Sequence, residues 1–255
     1  MRKTALVTGA SSGLGREFAK QLAVADYNLV VVARRKNLLI DLKRTLSNVK
    51  VKVHVADLTK ENAVDNLLKF LTEEKIQIDV LINNAGFGDY NRFDKANIGK
   101  LQNMIDLNVK VLTDLMYYIG NQMLHRRSGY ILNVASTAAF QPGPMMATYF
   151  ATKHYVLALS EAVAYEWKED GVVVSALCPG PTMSEFFDHA DMVDTKMLKK
   201  TKLPSSKEVA KFGLKALFKG KRVAIHGFLN KVLVFIGRLA PRNAITALTA
   251  KALAK

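Results

Sequence analysis

Thr8-Gly-Ala-Ser-Ser-Gly-Leu-Gly15 joins a short apolar run, residues 4–8, to a segment of helical spacing, residues 14–25. Glycine tolerates positive φ and lets a backbone approach a ligand closely. The helix that starts near Gly13 offers unpaired N–H groups and the positive end of its dipole, which suits a pyrophosphate. The turn residues Gly9, Ser11, Ser12, Gly13, Leu14 and Gly15 are therefore candidates to hold a nucleotide.

Outward from this turn, further β-branched runs occur at residues 29–33, 51–55, 79–82, 130–134, 172–177 and 222–225. Continuous apolar runs of this length fit strands buried on both faces. Segments with helical spacing lie between them, at 36–46, 61–74, 98–125, 148–167 and 206–218. This alternation predicts one α/β domain: a doubly wound, Rossmann-type parallel sheet of seven strands with helices on both faces. We assign residues 1–227 to that domain and residues 228–255 to a basic, amphipathic helical appendage. The polar stretch 188–202 reads as a connection passing over the sheet.

The second strand ends in Ala33-Arg34-Arg35-Lys36. A dinucleotide fold that takes NAD places a carboxylate there for the ribose 2′-OH. Three cations and no carboxylate favour the extra 2′-phosphate of NADP(H), which an arginine can hold bidentately. Arg34 is the foremost candidate.

Composition narrows the remaining classes. The chain has 255 residues, 49% hydrophobic and 23% charged, which is long and apolar enough for a core of its own. A single cysteine, Cys178, argues against a disulfide framework or multi-cysteine zinc site, and five histidines without ligand spacing predict no metal. No apolar run approaches the roughly 18 residues of a spanning helix, and the apolar stretch after Met1-Arg2-Lys3 is too short for an export signal, so a cytoplasmic protein is expected. The formal net charge is +15, and residues 205–255 alone carry eleven Lys or Arg against one acid, Glu208. No nucleic-acid module accompanies that charge. Apolar side chains at 228–239 with Lys231 and Arg238 between them suggest a lid or oligomer-packing element, or peripheral contact with an anionic membrane.

Tyr149-Phe-Ala-Thr-Lys153 places a phenol and an ammonium at i and i+4 on one helix face. A neighbouring cation favours the phenolate, so the tyrosine pKa is expected to fall and make Tyr149 a general acid near neutrality. Ser136 stands 13 residues earlier, at the end of the fifth strand, where open α/β sheets bind ligands. Asn83-Asn-Ala-Gly86 ends the fourth strand, and Asn108 lies within the helical segment after it.

Together with Asp57-Leu58 and Pro179-Gly180, these pieces resemble the short-chain dehydrogenases/reductases, in family order over roughly residues 4–182. The resemblance implies an NADP(H)-dependent oxidoreductase that interconverts a carbonyl and an alcohol. Tyr149 would exchange the proton and Ser136 would bind the reacting oxygen. Lys153 would hold the nicotinamide ribose and tune the tyrosine, and Asn108 would anchor a water on the proton path. Asp57 and Leu58 would flank the adenine, with Asn84, Ala85 and Gly86 on the adenosine side. Pro179, Gly180 and Thr182 would meet the nicotinamide end.

Phe87, Phe140, Met145, Met183 and Phe187 stand in loops expected to rim the mouth, which points to an apolar ketone or aldehyde as substrate. The chain is expected to form a homo-oligomer. The alternative is a non-catalytic NADP-binding regulator or membrane-associated scaffold on the same fold, and the complete Asn108, Ser136, Tyr149, Lys153 set argues for the enzyme.

Overall fold

A computed structural model describes residues 2–186, 190 and 203–254. Seven parallel strands, β1 (Thr4–Thr8), β2 (Asn28–Ala33), β3 (Val51–Val55), β4 (Val80–Asn83), β5 (Gly129–Val134), β6 (Val172–Cys178) and β7 (Val223–Ile225), form one sheet in the order β3-β2-β1-β4-β5-β6-β7. The order reverses between β1 and β4. That switch point opens a crevice at the strands' carboxyl ends, the usual ligand position in such sheets.

The central strands are apolar on both faces because both are covered, while the edge strand β3 leaves Lys52 and Val55 exposed. Along β1, Ala5 and Val7 face one layer and Leu6 the other, as the two-residue side-chain period requires. The first layer contains α1 (Gly13–Val24) and α2 (Lys36–Thr45), with Phe18, Leu22, Leu39 and Leu42 fully buried. It is completed by α7 (Ser206–Phe218), which starts from a capping box between Ser205 and Glu208. The opposite layer contains α3 (Ala63–Glu73), α5 (Leu112–His125) and part of α6 (Ala147–Glu166), through Leu67, Leu115, Ile119, Met123 and Ala164. Two further helices, α8 (Phe228–Leu239) and α9 (Arg242–Leu253), follow β7.

The sequence predicts one helix over residues 98–125, but the structure interrupts it. Helix α4 (Ile98–Ile105) passes into a π-helical turn at Asp106–Val111 before α5 begins. The cause is tertiary. The Asn108 carboxamide is bound outside its own helix, accepting from Phe87 N–H at 3.1 Å and donating to Phe87 C=O at 3.0 Å and Thr152 Oγ1 at 3.1 Å. Widened turns of this kind are frequent at functional sites. The stretch 188–202, read as a connection, lies largely outside the described residues.

One buried polar chain ties the middle of the sheet to α6. Asn83 Nδ2 donates to Asn133 Oδ1 at 2.9 Å, Asn133 Nδ2 donates to Ser160 Oγ at 2.9 Å, and Ser160 Oγ donates to Val156 C=O at 2.6 Å. Removing its middle member strands a buried amide. Asn133→Ala is expected to cost about 2–3 kcal/mol, lowering the melting temperature by roughly 4–12 °C for a domain of this size. Thermal unfolding followed by circular dichroism checks this.

Candidate active site

The crevice is built on the contact between two turns. Thr8 Oγ1 donates to Ile82 C=O at 3.3 Å and accepts from the N–H groups of Asn84 and Ala85, each at 3.0 Å. Asn84 Nδ2 returns a bond to Thr8 C=O at 2.9 Å. This closeness excludes side chains at two positions. A Cβ on Gly9, whose φ is +66°, would lie 2.7 Å from Asn84 Nδ2, and one on Gly15 would lie 2.2 Å from Gly9 C=O. Helix α1 starts beside this contact, with no acidic residue in its first turn and no side-chain hydrogen bond from Ser12 to cap it. Its first-turn N–H groups are thus left for an anionic ligand.

A cavity of about 880 Å³ runs along the carboxyl ends of the strands. Gly9, Ser11, Ser12, Gly13, Leu14, Asn84, Ala85 and Gly86 line its middle, and Arg34, Asp57 and Leu58 line one end. Ser136, Tyr149, Lys153, Pro179, Gly180 and Thr182 also line it. Two of the sequence-predicted residues stand behind the wall. Gly15 packs under Gly9, and Asn108 lies behind Gly86, where a Cβ would meet its Oδ1 at 2.9 Å. The left-handed glycine turn and the helix start beside it fit the pyrophosphate of a dinucleotide.

Arg35 has a role at the turn that the run of cations after β2 does not single out. Its guanidinium donates to Ser12 Oγ at 2.7 Å, Ser11 Oγ at 3.2 Å and Glu185 Oε2 at 2.8 Å, which clamps the glycine turn. Arg34 lies near Asp57. Burial raises the Asp57 pKa, but hydrogen bonds from the Thr59 hydroxyl and N–H, with Arg34 and Lys60 nearby, hold the carboxyl below its ordinary value.

At the other side, Ser136 follows β5 and its hydroxyl accepts from Ala138 N–H at 3.1 Å. Lys153 Nζ donates to Val134 C=O at 2.7 Å and lies 5.7 Å from the centre of the Tyr149 ring. The Tyr149 pKa rises rather than falling as the i, i+4 spacing predicts. Burial pushes it up to about 12, and a hydrogen bond with the Ser136 hydroxyl pulls the other way without overcoming burial. The ammonium stands over the ring rather than at the hydroxyl, so its help to the phenolate is small beside desolvation. Burial also lowers the Lys153 pKa to about 8, with the buried Cys178 thiol opposing it.

Of the residues expected at the substrate mouth, Phe87 lines the cavity and three others do not. Phe140 packs onto the core around Leu112 and Ala135, and Met145 joins a cluster with Tyr90 and Phe150. Met183 is largely exposed and bridges to Ser205. Phe187 lies outside the described residues. The apolar wall instead contains Met146, Phe150 and Phe186, with Leu233, Ile236, Leu248 and Leu253 from α8 and α9. The segment read as an appendage therefore roofs the same cavity, and the Tyr90 hydroxyl holds its end by donating to Leu253 C=O at 2.7 Å. The helical spacing of its apolar side chains was the available signal. Lys100 also reaches the wall, paired with the buried Asp89.

Among the described residues, no helix is long and apolar enough to cross a membrane, and no group of three or more His, Cys, Asp or Glu gathers to hold a metal.

Residues 3–193 match the model of the short chain dehydrogenase family. The diacetyl reductase [(S)-acetoin forming] of Staphylococcus epidermidis is 30% identical over 194 residues, 75% of this chain and 76% of that protein. The solved short-chain dehydrogenase from Sphingobium yanoikuyae in complex with NADPH superposes with a TM-score of 0.83 at 30% identity, covering 93% of this chain and 94% of that one. The bulky-bulky ketone specific alcohol dehydrogenase from Comamonas testosteroni gives 0.79 at 29% identity, covering 93% and 92%.

The lowered lysine pKa has a measurable sign. Lys153 is expected to keep its proton below pH 8 and lose it as the pH rises past about 8, whereas the unfolded chain retains that proton to the ordinary lysine value. This group's contribution to stability therefore increases with pH between those two values. Carbon-13 NMR of ε-labelled lysine in the purified protein, with Lys153→Met to assign the signal, should show one resonance with a midpoint near 8.

Proposed function

The chain belongs to the short-chain dehydrogenase family of nicotinamide-dependent oxidoreductases, and from that premise we propose that it is an NADP(H)-dependent enzyme reducing an apolar ketone or aldehyde to the alcohol. The carrying observation is that Ser136, Tyr149 and Lys153 share one cavity with Arg34, Arg35 and an apolar wall. A nicotinamide cofactor supplies the hydride. The protein supplies position, a proton and charge.

The Ser136 hydroxyl and the Tyr149 phenol hold the carbonyl oxygen by hydrogen bonds. A phenol with a pKa near 12 carries its proton at neutral pH and can deliver it from Oη to that oxygen. Lys153, still cationic below pH 8, then favours the phenolate that remains. Asn108 acts as a positioning residue: its amide fixes Phe87 and Thr152, holding the loop after β4 against α6. A dehydrogenase direction uses the same groups in reverse.

Preference for NADP(H) rests on Arg34 and Arg35 with no carboxylate at the end of β2. The NADPH held by the Sphingobium relative and the bulky ketones of the Comamonas relative support the cofactor and substrate class by similarity. A cytoplasmic homo-oligomer with its basic end against an anionic membrane completes the reading. A non-catalytic regulator or scaffold would not need Ser136, Tyr149 and Lys153 together on a cavity wall.

Tyr149→Phe is expected to lower kcat at least about 10²-fold while leaving NADPH affinity, read by fluorescence titration, nearly unchanged. Full turnover by that variant would overturn the assignment. Arg34→Asp should reduce the NADPH-to-NADH ratio of kcat/KM by about 10–100-fold, the weight of one or two charge-assisted bonds. A shift in Arg35→Asp alone would move the phosphate site one residue, and a shift in neither would remove the NADP preference.

A further inference from the structure

Helix α8 has more apolar surface outside than inside. Val234 is its one residue that is fully buried, whereas Phe228, Phe235 and Leu239 are 81%, 63% and 75% exposed. With Val232 they stand at i, i+4, i+7 and i+11, one stripe along the outer face. Lys231 and Arg238, seven residues apart, run beside that stripe. On its other side, Leu233 and Ile236 line the catalytic cavity yet remain 56% and 52% exposed, as does Leu248 of α9 at 62%. Residues that are both wall and surface mark the cavity's mouth. The outer stripe and the mouth therefore form one continuous apolar face, of a kind that soluble surfaces seldom leave in water.

Charge decides between the occupants of such a face. Residues 228–254 contain Lys231, Arg238, Arg242 and Lys251 and no Asp or Glu. A second copy seated on the same face would bring two cationic segments together without an acid to pair them. An anionic bilayer offers an apolar layer for the stripe and negative headgroups for its basic flank.

We propose that α8 and α9 seat the protein on an anionic lipid surface with the mouth at Leu233, Ile236 and Leu248 opening onto it, so that the substrate is a lipophilic carbonyl compound drawn from the bilayer. This rests on the reductase reading of the Tyr149 site. Helix α9 is fastened to the catalytic side through Leu253 and Tyr90, so the lipid-facing element and the cavity wall are one piece. Substrate then passes from lipid to the apolar wall of Met146, Phe150 and Phe186 without crossing water.

The test uses the full chain with NADPH and two ketones of the same reacting group. One is cyclohexanone in buffer. The other is a long-chain methyl ketone carried in phosphatidylcholine vesicles with or without phosphatidylserine. Wild type should co-sediment with the phosphatidylserine vesicles and reduce the vesicle-borne ketone faster there. A variant with Phe228→Ser, Phe235→Ser and Leu239→Ser, all outside the cavity wall, should lose about tenfold or more in vesicle binding and in turnover of the vesicle-borne ketone. Its activity on cyclohexanone should stay unchanged. Lys231→Glu with Arg238→Glu should weaken binding to phosphatidylserine vesicles selectively. Equal binding by wild type and the serine variant, or equal turnover of the vesicle-borne ketone, would overturn the proposal. So would a dimer that the serine variant abolishes, which would assign the face to a second copy. Inactivity on both ketones with vesicle binding intact would instead count against the reductase reading.

Discussion

The contact between the ends of β1 and β4 is the constraint on which the rest depends. Thr8 spends its hydroxyl on three backbone groups of the neighbouring turn, and Asn84 answers with its amide. The two turns are drawn so close that Gly9 and Gly15 leave no room for a side chain. This closure sets where α1 starts and therefore where its unpaired N–H groups point. It also fixes the floor of the cavity midway between the arginines after β2 and the serine after β5. A looser contact would still give a sheet, but not a continuous trough with a phosphate-suited end and a proton-donating end.

Much of this is legible in the sequence. The central strands could be read because they are covered on both faces and so appear as unbroken apolar runs, whereas the edge strand β3 alternates apolar residues with Lys52 and His54. The glycine turn, the serine at a strand end and the tyrosine–lysine pair could be read because each chemistry demands a short spacing. What escaped was set by long-range contact. Nothing local in residues 98–125 forecasts the π-helical turn, because Asn108 is drawn out by Phe87 and Thr152, 21 and 44 residues away. Phe140, Met145 and Met183 have the apolar character of pocket residues, but packing sends them elsewhere. A lid is one of the uses the sequence suggests for residues 228–239, but which side chains of α8 and α9 reach the wall depends on how the chain returns over the sheet after β7, which periodicity does not report.

The tyrosine pKa carries a related lesson. Spacing i and i+4 guarantees proximity on a helix, not the approach of a particular atom. Here the lysine nitrogen is committed to Val134 C=O and rides over the aromatic face. Both groups are desolvated, and desolvation favours the neutral form of each. The pair thus keeps a proton on the phenol and holds a cation on the lysine with a narrower margin than in water.

The sheet order has a consequence for how such a protein can change. The two arginines sit on the β2 side of the switch point, whereas Ser136, Tyr149 and Lys153 sit on the β5 side, with β1 and β4 between them. On the proposed reading, cofactor choice and reaction chemistry are separable traits, and a substitution after β2 would retune the redox supply while the Ser136, Tyr149 and Lys153 side stays as it was. The roof at α8 and α9 is a third such trait. A descendant could exchange its substrates by altering the chain beyond β7 and inherit everything beneath it.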